Sequence, residues 1–165
     1  MESPEQYPGG ERDRDVERLR GLVQHFVRSF GLLVTKQTPC GQPVSPSYAH
    51  ALMVLLKPPG GAGRISQAEL GSALGIDKSN VARLCSRMVA AQHATQDVAP
   101  ADGRSRLVAL TPKGAKLAQR IDRASRDRFA RIVASLSHPK RAAIFDSLSA
   151  LNAAVETLRE GEAQS

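Results

Sequence analysis

The sequence predicts a mainly α-helical chain with one small β-hairpin, an α+β arrangement, and three observations lead there. Apolar residues recur at threes and fours through most of the 165 residues, which lines them along one face of a helix. A cap, a short helix, a glycine, a second cap and a second helix follow one another from Ser66 to about Ala91. Two strand-like runs, Thr95–Val98 and Arg104–Leu110, flank a turn over Ala99–Gly103 that ends in Asp-Gly, a dipeptide suited to tight hairpins.

Each element follows from its own residues. Residues 1–13 are acidic and the Pro- and Gly-bearing stretch Pro4–Gly10 predicts a disordered lead-in, so a single domain is expected over 14–160 with a tail at 161–165. Val16, Leu19, Val23, Phe26, Val27, Phe30, Leu33 and Val34 predict an amphipathic helix over 14–36. Ser45-Pro46 opens a second helix, the serine as N-cap and the proline where a missing N–H costs nothing. It stops at Lys57-Pro58-Pro59-Gly60-Gly61, whose glycines lack the Gly-Lys-Ser/Thr ending of a phosphate loop and read as a surface loop. Ser66-Gln67-Ala68-Glu69 is a capping box, placing Leu70, Ala73 and Leu74 inward; Gly75 closes that helix and Asp77 caps the next. Thr111-Pro112 starts a helix to about Leu136, and Ser137-His138-Pro139 starts the last, over 137–160.

The terminal helices, 14–36 and 137–160, offer more apolar face than one small lobe can cover. In the last helix Ile144, Leu148, Leu151, Val155 and Leu158 step by 4, 3, 4 and 3, a heptad seam. Together with Val16, Leu19 and Val23 of the first helix, that seam predicts a homodimer.

Composition narrows the function. Hydrophobic residues at 41% and charged residues at 24% describe an ordinary globular chain, long enough to fold without a metal or disulfide staple. The longest apolar run, Ala51–Leu56, is far short of the ~20 residues of a membrane span, and the acidic N-terminus has no secretory core. Cys40 and Cys85 are too few for a disulfide framework, so a reduced, cytoplasmic setting is expected. The histidines His25, His50, His93 and His138 form no i, i+4 pair, and neither a metal site nor a cofactor motif nor a catalytic set is recognisable. The net charge of +7 lies in the middle of the chain between acidic ends, which favours a polyanionic partner.

Helix, glycine turn, helix and then a hairpin is the order of a winged helix-turn-helix, here over 64–111. Its first helix braces the second, whose polar face enters a groove about 12 Å wide. On that face stand Lys78, Ser79, Asn80, Arg83 and Arg87, residue types suited to phosphates and base edges. Ser105 and Arg106 on the hairpin are weaker candidates, because an outer strand face is polar in any case. Arg120, Arg123, Arg126, Arg128 and Arg131, interleaved with Asp122 and Asp127, read as a solvated or ion-paired face.

At these residues the chain resembles the MarR family of transcription regulators. Asp102-Gly103-Arg104-Ser105-Arg106-Leu107-Val108-Ala109-Leu110-Thr111-Pro112-Lys113-Gly114 meets every fixed position of that family's wing signature, and Ser66–Met88 looks like its helix-turn-helix. The resemblance implies a homodimer with interlocked first and last helices. It implies double-stranded DNA as partner, a pseudo-palindromic operator with Asp77–Ala91 in a major groove. Arg104 would enter a minor groove, with Asp102 holding the turn. It also implies repression relieved by a small effector, often aromatic, bound between the dimer helices and the DNA-binding lobe, without assigning its contacts. The rival reading is a winged helix for protein or RNA contact, which would not need this basic face.

Overall fold

The computed structural model describes residues 9–61, 63–99 and 102–163, with side chains described for 10–58, 60–61, 63–99 and 105–162. The elements in order are α1 (Gly9–Phe30), α2 (Pro46–Leu56), β1 (Arg64–Ser66), α3 (Gln67–Leu74), α4 (Lys78–Ala90), β2 (Ala94–Ala99), β3 (Asp102–Leu110), α5 (Pro112–Ala134) and α6 (His138–Ala163). They fall into two compact units, which divide between Ala124 and Ser125 within α5.

The first unit holds the core. Leu52 of α2, Leu70 of α3, Val81, Cys85 and Met88 of α4, Val108 of β3 and Ile121 of α5 are all fully buried. This core is aliphatic apart from Tyr48, as an aromatic-poor chain requires. The caps form where the sequence puts them. Ser45 accepts from the Tyr48 N–H at 3.4 Å, and Asp77 accepts from the Asn80 N–H at 2.8 Å. Ser66 and Glu69 close a reciprocal capping box. Gly75 ends α3 in the left-handed region at φ 63°, which only a residue without Cβ adopts freely.

Four expectations need correction. The wing has a third strand: β1 pairs antiparallel with β3 through Ile65 and Val108, in sheet order β1-β3-β2. Three residues are too short to show a period, so Arg64–Ser66 had no strand signal. The first helix stops at Phe30, not residue 36. Gly31 at φ 85° lets its own N–H reach the Arg28 carbonyl and the Leu32 N–H reach that of Val27, a glycine-closed helix end, so Leu33 and Val34 lie beyond α1. The same helix already runs from Gly9, so residues 9–13 of the expected disordered tail are helical; residues 1–8 lie outside the described residues. Of the turn expected over Ala99–Gly103, Ala99 belongs to β2 and Asp102 and Gly103 belong to the backbone of β3, with Asp102 opposite Ala99 across a register shift at Val98/Ala99; residues 100–101 lie outside the described residues.

The brace between α3 and α4 also differs in detail. Ala73 is exposed, and the small residue at the contact is Gly71. A Cβ there would come within 3.3 Å of Val81 Cγ1 and 3.4 Å of the Ile76 carbonyl oxygen, so the glycine sets how closely the two helices approach. Leu74 and Ile76 pack half-buried at the rim of the core.

The second unit comprises the last turns of α5 and the 26-residue α6, which continues past residue 160 to Ala163. Within it the Arg141 side chain caps the end of α5 by donating from Nε to the Leu136 carbonyl at 2.8 Å.

Candidate nucleic-acid interface and adjoining cleft

Helix α4 divides cleanly into two faces. Val81, Leu84, Cys85 and Met88 are buried, while Lys78, Ser79, Asn80, Arg83 and Arg87 are all exposed. The exposed face is internally ordered. Asn80 is tied by its amide to the Asp77 carboxylate, and its Oδ1 accepts from Arg83 Nη2 at 3.0 Å. Hydrogen bonding, first from the Asn80 backbone N–H, holds the Asp77 carboxyl below its usual range and hence ionised. The face therefore presents three cations with one acid, and that acid is committed to the cap.

Arg87 has a second engagement. Its guanidinium lies 5.7 Å above the centre of the Tyr48 ring, a cation–π contact to α2. On the wing Arg106 is exposed opposite Val98, and Ser105 is half-buried. The side chains of Asp102 and Arg104 lie outside the described residues.

Beneath the far end of α4 opens a cleft of about 580 Å³. It is lined by Thr35, Lys36, Pro43, Val44, Ser45, Tyr48, Arg87, Ala90, Ala91 and His93. The Tyr48 hydroxyl and His93 Nδ1 are 2.8 Å apart, with the rings edge to face. Burial, then the charges of Lys113 and Arg120, push the His93 ring below its usual value and leave it neutral near pH 7. Burial raises the Tyr48 phenol, against the pull of Arg87. His93 is itself held in place by the start of α5. The Thr111 N–H donates to its carbonyl at 3.1 Å, the Thr111 hydroxyl donates to the Gln92 carbonyl at 2.7 Å, and Lys113 donates to the Ala91 carbonyl at 2.9 Å. Gly114 packs so tightly there that a Cβ would overlap the His93 carbonyl.

Sequence reasoning had placed Arg87 on the groove face and had not found this cleft. Tyr48 was the available signal, one of two tyrosines in a chain with no tryptophan. The apolar stripes on the terminal helices are exposed in the single chain: Val16, Leu19 and Val23 on α1, and Ile144, Leu148, Val155 and Leu158 on α6, with Leu151 half-buried. Cys85 is buried and its thiol is pushed up by that burial, a poor setting for redox sensing. Among the described residues no group of three or more His, Cys, Asp or Glu is placed to hold a metal ion. No helix among them is long and apolar enough to cross a membrane.

Residues 42–105 match the family model described as MarR family. Among solved structures, the chain is similar to the PcaV transcriptional regulator of Streptomyces coelicolor in complex with its natural ligand. The two are 25% identical with a TM-score of 0.61, over 94% of this chain and 99% of that one. A MarR transcriptional regulator of Methanosarcina mazei has a TM-score of 0.68 at 24% identity, over 86% of this chain and 99% of its own. FabT of Streptococcus pneumoniae, solved in complex with DNA, shares the fold with a TM-score of 0.66 at 17% identity, over 90% and 99% of the two chains. Among curated proteins none matches the chain. The matched segment runs from just before α2 into β3, and over it the chain is similar to the MarR family.

Proposed function

We propose that this chain is a sequence-specific, double-stranded-DNA-binding transcriptional regulator that works as a homodimer and represses until a small-molecule effector releases it. The observation that carries this reading is the exposed basic face of α4, with Lys78, Asn80 and Arg83 standing on a helix braced through Gly71 and Val81. Such a helix can lie in a major groove without losing any part of the core. Lys78, Ser79, Asn80 and Arg83 would supply phosphate and base-edge contacts, and Arg87 would reach the backbone when it leaves the Tyr48 ring. Arg104 would enter the minor groove, Asp102 would steady its turn, and Ser105 and Arg106 would flank it.

The exposed apolar stripes of α1 and α6 support the dimer, because a monomer would leave them in water. PcaV was solved with its natural ligand and FabT with DNA, which supports both halves of the reading. The role is one of binding rather than catalysis, and the cytoplasm is where its DNA target lies.

The test is binding to duplex DNA as salt is varied. Affinity should fall log-linearly, with a slope of about −0.9 for each phosphate neutralised. A chain that shows no duplex affinity at low salt would instead be a protein- or RNA-contact module.

A further inference from the structure

Asp77, Asn80 and Arg83 form a chain of hydrogen bonds along the exposed face of α4. Their spacing of three sets them in a row on the helix surface. Asp77 accepts at Oδ1 from the Asn80 backbone N–H at 2.8 Å, which is the cap, and at Oδ2 from the Asn80 side-chain amide. Asn80 Oδ1 in turn accepts from Arg83 Nη2 at 3.0 Å.

Chemistry permits one orientation of that amide. An ionised carboxylate only accepts and a guanidinium only donates, so the amide nitrogen must face Asp77 and the amide oxygen must face Arg83. Hydrogen bonding, first from the Asn80 backbone N–H, holds the Asp77 carboxyl below its ordinary range, so it stays ionised at neutral pH. Asparagine reads adenine by donating from Nδ2 to N7 and accepting at Oδ1 from N6, and on this helix both groups are already engaged. Arginine reads guanine by donating to O6 and N7 together. Arg83 commits one N–H to Asn80 and keeps enough donors for that bidentate contact. Arg87, the other arginine of this face, is turned to the Tyr48 ring instead. A guanidinium held before DNA arrives loses less rotamer freedom on binding than a free one.

We infer that Asn80 is a positioning residue which, anchored by Asp77, aims Arg83 at a guanine, so that each half-site carries a guanine read through its major-groove edge. The proposal rests on the DNA-binding reading and deepens it. It names the base, and it makes Asn80 act through Arg83 rather than on adenine.

Selection of binders from a pool of random-sequence duplexes at low salt, with the intact protein, supplies the test. Retained duplexes should share a guanine at one fixed position of each half-site. Replacing it by adenine should weaken binding by roughly 5- to 150-fold, and 7-deazaguanine, which lacks the N7 acceptor, should weaken it severalfold. Arg83→Ala should bind guanine and 7-deazaguanine duplexes alike. Asn80→Ala should lose most of the guanine-over-adenine ratio while keeping its affinity for random duplex. Asp77→Asn separates aiming from capping. Asparagine caps a helix about as well as aspartate, yet its amide nitrogen cannot accept from the Asn80 amide. That variant should keep thermal stability near the parent's and still lower the ratio, which cancels the change in net charge. Retained duplexes without a shared guanine, or a guanine preference that Asn80→Ala or Asp77→Asn leaves intact, would overturn the proposal while the regulator reading stands. No duplex binding at low salt would overturn both.

Discussion

Single residues set the geometry on which the rest depends. Gly114 has no room for a methyl against the His93 carbonyl, so Gly114→Ala must push α5 away from the end of α4. We expect it to cost roughly 1–3 kcal/mol, the usual range for overpacking, read by denaturant unfolding. An unchanged midpoint would mean that this junction is loose. Asp77 gives a pH signature. Its carboxyl titrates below its ordinary value in the folded chain, so it stabilises above the unfolded pKa near 3.8 and loses that contribution as pH falls through the lower folded value. Asp77→Ala should therefore lower the melting temperature at pH 7, and the gap to the parent should close in strong acid. A gap independent of pH would remove the carboxylate's role as cap. Arg83, ordered by Asn80 at 3.0 Å, is the residue placed to read a base edge. Arg83→Ala should weaken operator binding by roughly 1–3 kcal/mol, measured by fluorescence anisotropy, without changing thermal stability.

At the scale of elements, the caps were the most legible part. Ser45-Pro46, the Ser66–Glu69 box and Asp77 each satisfy orphan N–H groups within their own first turn, so local sequence decides them. The α4 face was legible for the same reason, since burial of Val81, Leu84, Cys85 and Met88 fixes what remains outside. What escaped was non-local. Strand β1 exists only because Ile65 finds Val108 some forty residues on, and the cleft exists only because the chain before α2 returns against the end of α4. The brace was misplaced by two positions, from Gly71 to Ala73, because composition does not show which small residue meets Val81. The wing makes its own prediction. If Arg104 reads a narrow, A·T-rich minor groove, Arg104→Ala should erase any preference for A·T-rich flanks while fold and dimer persist. A surviving preference with reduced stability would make the arginine a strut for the turn.

For the whole molecule, the exposed seams of α1 and α6 and the basic face of α4 have to be used together. Two copies joined through those seams would carry two reading helices related by a two-fold axis, and the DNA must repeat that symmetry. Leu151→Asp places a charge in the α6 seam and should shift the protein to monomer at micromolar concentration in sedimentation. A parent protein that already sediments as a compact monomer would exclude the shared seam. The most direct measurement is footprinting on genomic fragments that the protein retains. Two protected half-sites should appear in inverted repeat, their centres about 10–10.5 bp or a multiple of that apart, and Arg83→Ala should lose both together. A single asymmetric footprint, or one that Arg83→Ala leaves intact, would contradict a dimer reading DNA through α4.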